Sequence, residues 1–66
     1  MSVARTTEIA ASSSKSFDDA LNKGVNRACE TLDNVTGVWI KDQEAVVEAG
    51  KISSYKVRMK VTFVLK

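Results

Sequence analysis

Tyr55-Lys56-Val57-Arg58-Met59-Lys60-Val61-Thr62-Phe63-Val64-Leu65 alternates without a break. Tyr55, Val57, Met59, Val61, Phe63 and Leu65 are apolar, and the residues between them are Lys56, Arg58, Lys60, Thr62 and Val64. Successive side chains of a strand point to opposite faces, so a period of two over this length predicts a half-buried strand. Its odd face must cover something apolar. Its even face begins cationic and ends with Thr62 and Val64.

The cover for the odd face lies upstream. Phe17, Ala20, Leu21, Gly24, Val25, Ala28, Cys29 and Leu32 recur at spacings of three and four. That is one apolar stripe of an amphipathic helix. Ser14 or Ser16 caps its start, and Ser16 with Asp19 resembles a capping box with a shortened acid. Asp18 and Asp19 suit the positive end of the helix dipole. Gly24 in the stripe costs about 1 kcal/mol of helix propensity relative to alanine, an expense that close approach of a strand would offset. Cys29 reads as a small core residue, since no base stands by to activate it.

Two more strands complete the pattern. Val3–Ala11 is rich in residues that favour extended structure, and the polar run Ser12-Ser13-Ser14-Lys15 is expected to end it in a loop. Asp33-Asn34 forms a polar turn after the helix. A strand is expected over Val35–Val47, with Val38 and Ile40 on one face and Gly37, Trp39, Lys41 and Gln43 on the other. Glu48-Ala49-Gly50-Lys51 supplies the chemistry of a hairpin turn, with Gly50 at positive φ. The order is strand, helix, strand, strand, an α+β domain over residues 1–66 with one helix on a three-stranded sheet. The helix stripe is expected to meet Val38, Ile40, Val57, Met59, Val61 and Phe63. The opposite face then carries Trp39, Val47, Thr62 and Val64 beside Lys41, Lys56, Arg58 and Lys60. A tryptophan and several aliphatics with no second layer above them point to burial between subunits or against a ligand.

Composition narrows the function. The chain has 66 residues, one cysteine and no histidine, which leaves no internal disulfide and no zinc-type ligand cluster. Oligomerisation is the remaining common way to reinforce so small a domain. A net charge of +2 is too low to point to nucleic acid. No apolar run approaches the roughly 20 residues of a membrane span, and Met1-Ser2-Val3-Ala4-Arg5-Thr6 lacks the apolar block of a signal peptide. The expectation is a cytoplasmic protein. Without a nucleophile–base pair or a phosphate-cradling glycine loop, an enzyme is not expected.

In order, spacing and length the chain resembles the dodecin family from Arg5 to Leu65. Glu8-Ile9, the Ser12-Ser13 turn, Ala28-Cys29-Glu30-Thr31-Leu32, Gly50-Lys51-Ile52 and Val57 to Leu65 carry the resemblance. It implies a β-α-β-β fold whose antiparallel sheet wraps one helix, with the final strand in the middle. It also implies a hollow homododecamer, bacterial or archaeal, that stores or quenches flavin (riboflavin, lumichrome or FMN) without catalysis. Coenzyme A and calcium are further family ligands. In the family pattern a tryptophan early in the second strand stacks on the flavin ring and a glutamine near the start of the third binds its polar edge. Aligned without gaps, those positions fall on Gly37 and Lys56. Trp39 lies two residues beyond Gly37, on the same face and roughly 6.5 Å along the strand.

Two roles fit Trp39: stacking on a ligand for which Gly37 leaves room, or packing across a subunit interface. Two also fit Lys41, Lys56, Arg58 and Lys60. They hold an anionic ligand edge, or they pair with Glu8, Glu44 or Glu48 across strands or subunits. An ammonium donates and never accepts, so Lys56 cannot reproduce a glutamine, although it can donate to flavin carbonyls. Gln43, the one neutral amide assigned to the Trp39 face, is a further candidate for the polar contact. The alternative function is a dodecin-like assembly that binds no flavin. It would have a structural role or take coenzyme A, a small anion or calcium. Asp42, Glu44 and Glu48 are the nearest set of oxygen ligands for calcium.

Overall fold

The structure, a computed structural model, describes residues 3–65. The one-domain reading over residues 1–66 therefore extends beyond them by Met1, Ser2 and Lys66. The elements are β1 (Val3–Ser13), α1 (Phe17–Thr31), β2 (Val35–Glu48) and β3 (Lys51–Leu65). All strand pairs are antiparallel, and the sheet order is β1-β3-β2. The predicted β-α-β-β fold is present, with the alternating strand at its centre.

The helix begins where its cap demands. The Ser16 side chain accepts the Asp19 N–H at 3.0 Å, satisfying a first-turn donor that has no partner within the helix. Asp19 does not close the capping box. Its carboxylate accepts instead from the Ser13 hydroxyl and takes an ion pair from Lys23 at 3.3 Å. Ser13 is buried and also accepts the Lys15 N–H at 2.9 Å. This explains why β1 runs past its expected end at Ala11. Ser12 and Ser13 pair with Lys56 and Tyr55, so the sheet ladder overrides the loop propensity of serine, and the loop shrinks to three residues before α1.

Ala20, Ala28, Val57, Met59 and Val61 are the buried apolar residues, joined by partly buried Ile9, Ala11, Phe17, Leu21, Val25, Leu32 and Val35. Each fully buried aliphatic contributes about 1.5–3 kcal/mol. Gly24 sits where α1 comes closest to the sheet. A Cβ built there would lie 2.6 Å from Met59 Cε and 3.3 Å from Ala11 Cβ, so the glycine does permit a close helix–strand approach.

Two expectations about the helix cover are corrected. Val38 and Ile40 are not beneath α1 but exposed, at 36% and 44%. A helix about 10 Å across spans roughly two strands spaced 4.8 Å apart, and α1 lies over β1 and β3. Cys29 is exposed as well. It opens onto a shallow trench of about 230 Å³ that α1 leaves over the start of β2, shared with Val25, Val35 and Val38.

Bulges in β2 change which residues share a face. Ile40 is opposite Met59 and Asp42 is opposite Arg58, which leaves Lys41 as an extra residue. Beyond Lys41 the alternation is inverted. Gln43 pairs with Val57 on the helix side of the sheet, not on the Trp39 face as period-two counting placed it. Val47 is displaced likewise, and Val46, opposite Ser54, takes the position on the outer face. A tight turn at Ala49 (φ 51°) and Gly50 (φ 77°) closes the hairpin. Positive φ at both residues gives the turn whose twist matches the strands.

Candidate functional site

The outer face of the sheet, away from α1, is built in rows by strand pairing. Thr6, Thr62 and Gly37 form one row. Glu8, Lys60 and Trp39 form the next, then Ala10, Arg58 and Asp42, then Ser12, Lys56 and Glu44. Paired residues of adjacent strands present their side chains on the same face, so β3 sets a column of Lys56, Arg58 and Lys60 down the middle.

Trp39 is 65% exposed. Lys60 Nζ stands 5.4 Å from the centre of its ring, a cation–π distance. The ammonium holds one face of the indole and leaves the other to solvent. Beside it, a Cβ placed on Gly37 would meet nothing within 4 Å. The sequence-assigned pair Gly37 and Trp39 thus does share one face and leaves open space there.

The cations are largely engaged. Arg58 Nε donates to Asp42 Oδ1 at 2.8 Å. That hydrogen bond, and then the Asp42 charge, raise the Arg58 pKa further. Lys41, lifted out of register by the bulge, reaches over β3 to Glu8 on β1 at 3.2 Å. Asp42 as the partner of Arg58 escaped the sequence reading, which considered only glutamates; the bulge brings it into that row. Both pairs are about half exposed, so solvent screens them and each contributes little. A ligand anion can compete with such a carboxylate. Lys56 faces Glu44 in register, and with Asp42, Arg58 and Ala10 the two line a small hollow of about 220 Å³.

Lys56 lies four positions along β3 from Lys60, the partner of Trp39, a separation of about 13 Å within one chain. Gln43 is on the opposite face. The outer face therefore carries Gly37, Trp39 and Arg58 in three successive rows, with Lys41 reaching across them, holds Lys56 in the next row down, and excludes Gln43. The oxygen ligands considered for calcium do not converge: Asp42 bonds Arg58, Glu44 faces Lys56 and Glu48 faces Lys51. Among the described residues no group of three or more metal-ligating side chains occurs.

This architecture matches a known one. The family model described as Dodecin matches residues 3–66. The chain belongs to the dodecin family. Among solved structures, the dodecin from Streptomyces davaonensis is 32% identical with a TM-score of 0.92, over 98% of this chain and 96% of that one. The dodecin from Streptomyces coelicolor is 26% identical with a TM-score of 0.93, over 98% and 93%. An arginine-to-alanine variant of the Thermus thermophilus dodecin also reaches a TM-score of 0.93, over 100% and 98%. At 21% identity that likeness is one of fold alone. No curated protein matches. Family and fold together make this a small dodecin-like ligand-binding protein. Among the described residues no helix is long and apolar enough to cross a membrane.

Proposed function

We propose that this dodecin binds a flavin of the riboflavin, lumichrome or FMN class on the outer sheet face, within a hollow assembly of twelve identical subunits, and stores it without catalysis. The observation that carries the reading is Trp39. It is exposed on a sheet face that none of the described elements covers, beside open space at Gly37. An electron-poor flat ring stacks on the free face of the indole. Arg58 and Lys41 then lie within the same region to meet polar or anionic groups, in exchange for Asp42 and Glu8.

Assembly is supported by the same distances. The family's two flavin contacts fall on Gly37, opposite Thr62, and on Lys56. Those positions are about 20 Å apart along one β3 strand, more than a single tricyclic ring spans. A flavin touched at both positions needs two copies of the chain. The reading without catalysis is supported by the sequence, which holds no histidine, and by the hollow beside Cys29, whose lining carries no titratable group other than that thiol.

A second reading is favoured by the ion pairs. With Arg58 and Lys41 engaged and glycine at the stacking position, the shell binds no flavin. It then serves as an assembly or takes coenzyme A, a small anion or the cation calcium. Titration of riboflavin and of FMN separates the two. Flavin binding predicts quenching of flavin emission at micromolar protein, abolished by Trp39→Leu. Unquenched emission from a protein whose native mass is that of twelve chains selects the second reading, and a monomeric mass removes both.

A further inference from the structure

Around Trp39 the charges of the outer face do not balance. Lys41, Lys56, Arg58 and Lys60 stand there with Glu8, Asp42 and Glu44, four cations to three carboxylates. Arg58 takes Asp42, and Lys56 faces Glu44. Glu8 lies opposite Lys60 in register, yet its carboxylate goes to Lys41, which crosses β3 to reach it. The bulge in β2 thus brings a competing ammonium to the one carboxylate in the row of Lys60. Among the described residues Lys60 makes no ion pair. Its head group lies over the Trp39 ring instead, 5.4 Å from the centre.

That uncompensated charge acts in two ways on whatever lies against the free face of the indole. The ammonium draws the π electrons toward its own side, so the free face is a poorer donor to an electron-poor ring. It also acts through the indole on any charge stacked there. A ring in van der Waals contact lies about 3.5 Å beyond the indole, which puts its centre about 9 Å from Lys60 Nζ. With an effective dielectric constant of roughly 20–30, a unit charge at that range changes binding about tenfold. Both effects disfavour a neutral, electron-poor ring and favour one that carries a delocalised negative charge. In the flavin class these are two redox states of one ligand. Two electrons and one proton convert the neutral oxidised ring to the hydroquinone anion, whose charge spreads over N1 and the adjacent carbonyl.

We infer that Lys60 makes the Trp39 site selective for the two-electron-reduced, anionic ring of a flavin over its oxidised form. Such selectivity presupposes the flavin binding proposed above, and it makes Lys60 the specificity-determining residue of that site. A ligand that binds tenfold more tightly when reduced has its midpoint potential raised by about 30 mV on binding.

An anaerobic redox titration tests this. Riboflavin is the probe, because without a phosphate its only charge is that of the ring. With the full chain in excess and mildly alkaline buffer, which keeps the hydroquinone anionic, it is reduced stepwise with dithionite against a reference dye. Emission from Trp39, the one tryptophan of the chain, reports binding in each redox state. The expected midpoint lies about 30 mV above that of free riboflavin. Lys60→Gln is expected to lose this elevation and Lys60→Arg, which keeps the charge, to retain it. Bound riboflavin with a midpoint at or below the free value overturns the inference and leaves the flavin reading standing. An elevation undiminished in Lys60→Gln overturns it too, because another group then selects. Where Lys60→Gln fails to fold, Lys60→Arg decides: an elevation lost despite the retained charge overturns the inference. Trp39 emission that neither form of riboflavin changes removes the flavin reading and this selectivity together.

Discussion

Replacing Gly24 by alanine sets two effects of known size against each other. In an isolated helix the change would gain about 1 kcal/mol. In this fold the new methyl would stand 2.6 Å from Met59 Cε, 3.0 Å from its Sδ and 3.3 Å from Ala11 Cβ, where carbon atoms ordinarily rest about 3.5–4.0 Å apart. Met59 is fully buried, so its terminal methyl can retreat only into packed neighbours. Overpacking of this kind costs about 1–3 kcal/mol, and an overlap near 1 Å with a fully enclosed side chain belongs at the upper end of that range. The expected net loss is about 1–2 kcal/mol. Met59→Val removes Sδ and Cε, and in that background Gly24→Ala should instead recover its helix gain of about 1 kcal/mol. The coupling between the two sites is then about 2–3 kcal/mol. Guanidinium unfolding followed by far-ultraviolet circular dichroism measures it on four proteins at one fixed chain concentration, which holds any contribution from association constant. With a slope of about 2 kcal/mol per molar, the single variant should lose about 0.5–1 M in midpoint. An equal stabilisation by Gly24→Ala in both backgrounds would refute the argument that Gly24 exists for the approach of Met59.

Three further outcomes are expected. Ala49 holds a left-handed backbone that costs a non-glycine residue about 1–2 kcal/mol; Ala49→Asn, giving Asn-Gly at the turn, should raise stability by about 1 kcal/mol, read by the same unfolding assay. The Ser13 hydrogen bond, and then Lys23, hold the Asp19 carboxyl below the usual carboxylate range. A depressed folded pKa stabilises above the unfolded pKa and is lost as pH falls through the folded one. The stability gap between the wild type and Asp19→Asn should therefore be constant above about pH 5 and shrink steadily in more acid solution; a gap that widened with acid would contradict the pairing. If flavin binds, Gln43→Ala should leave its affinity unchanged, because Gln43 lies across from Val57 on the helix side. Lys56→Gln, restoring an amide that both donates and accepts, should tighten binding several-fold in the quenching titration.

What the sequence disclosed follows from how each strand is built. From Tyr55 to Leu65, β3 has no extra residue and lies between two partners, so its period of two survives intact and identifies the core side at once. The helix announces itself through its stripe and through Ser16, because both signals are local. β2 is different. Its bulge falls on Lys41, a residue with no special turn chemistry, and the shift comes from pairing with β3 rather than from anything in β2 itself. Counting by twos through that point sent Gln43 and Val47 to the wrong face and hid Asp42 from Arg58. The exposure of Val38, Ile40 and Cys29 was hidden for another reason. A stripe shows how wide a helix face is, but not which two of three strands it will cover.

The bulge at Lys41 divides β2 into two reading frames. Residues 37–40 are phased to one frame and residues 42–46 to the other, and the single inserted residue keeps them out of step. A substitution pattern tolerated in one frame is therefore inverted in the other. Deleting Lys41 would not merely remove a charge. It would leave a regular strand in which Trp39, Asp42 and Glu44 still face outward and Ile40 and Gln43 still face the helix side, and it would break the pair with Glu8. What the inserted residue supplies is a side chain that crosses β3 to Glu8, tying the two edge strands together over the middle one.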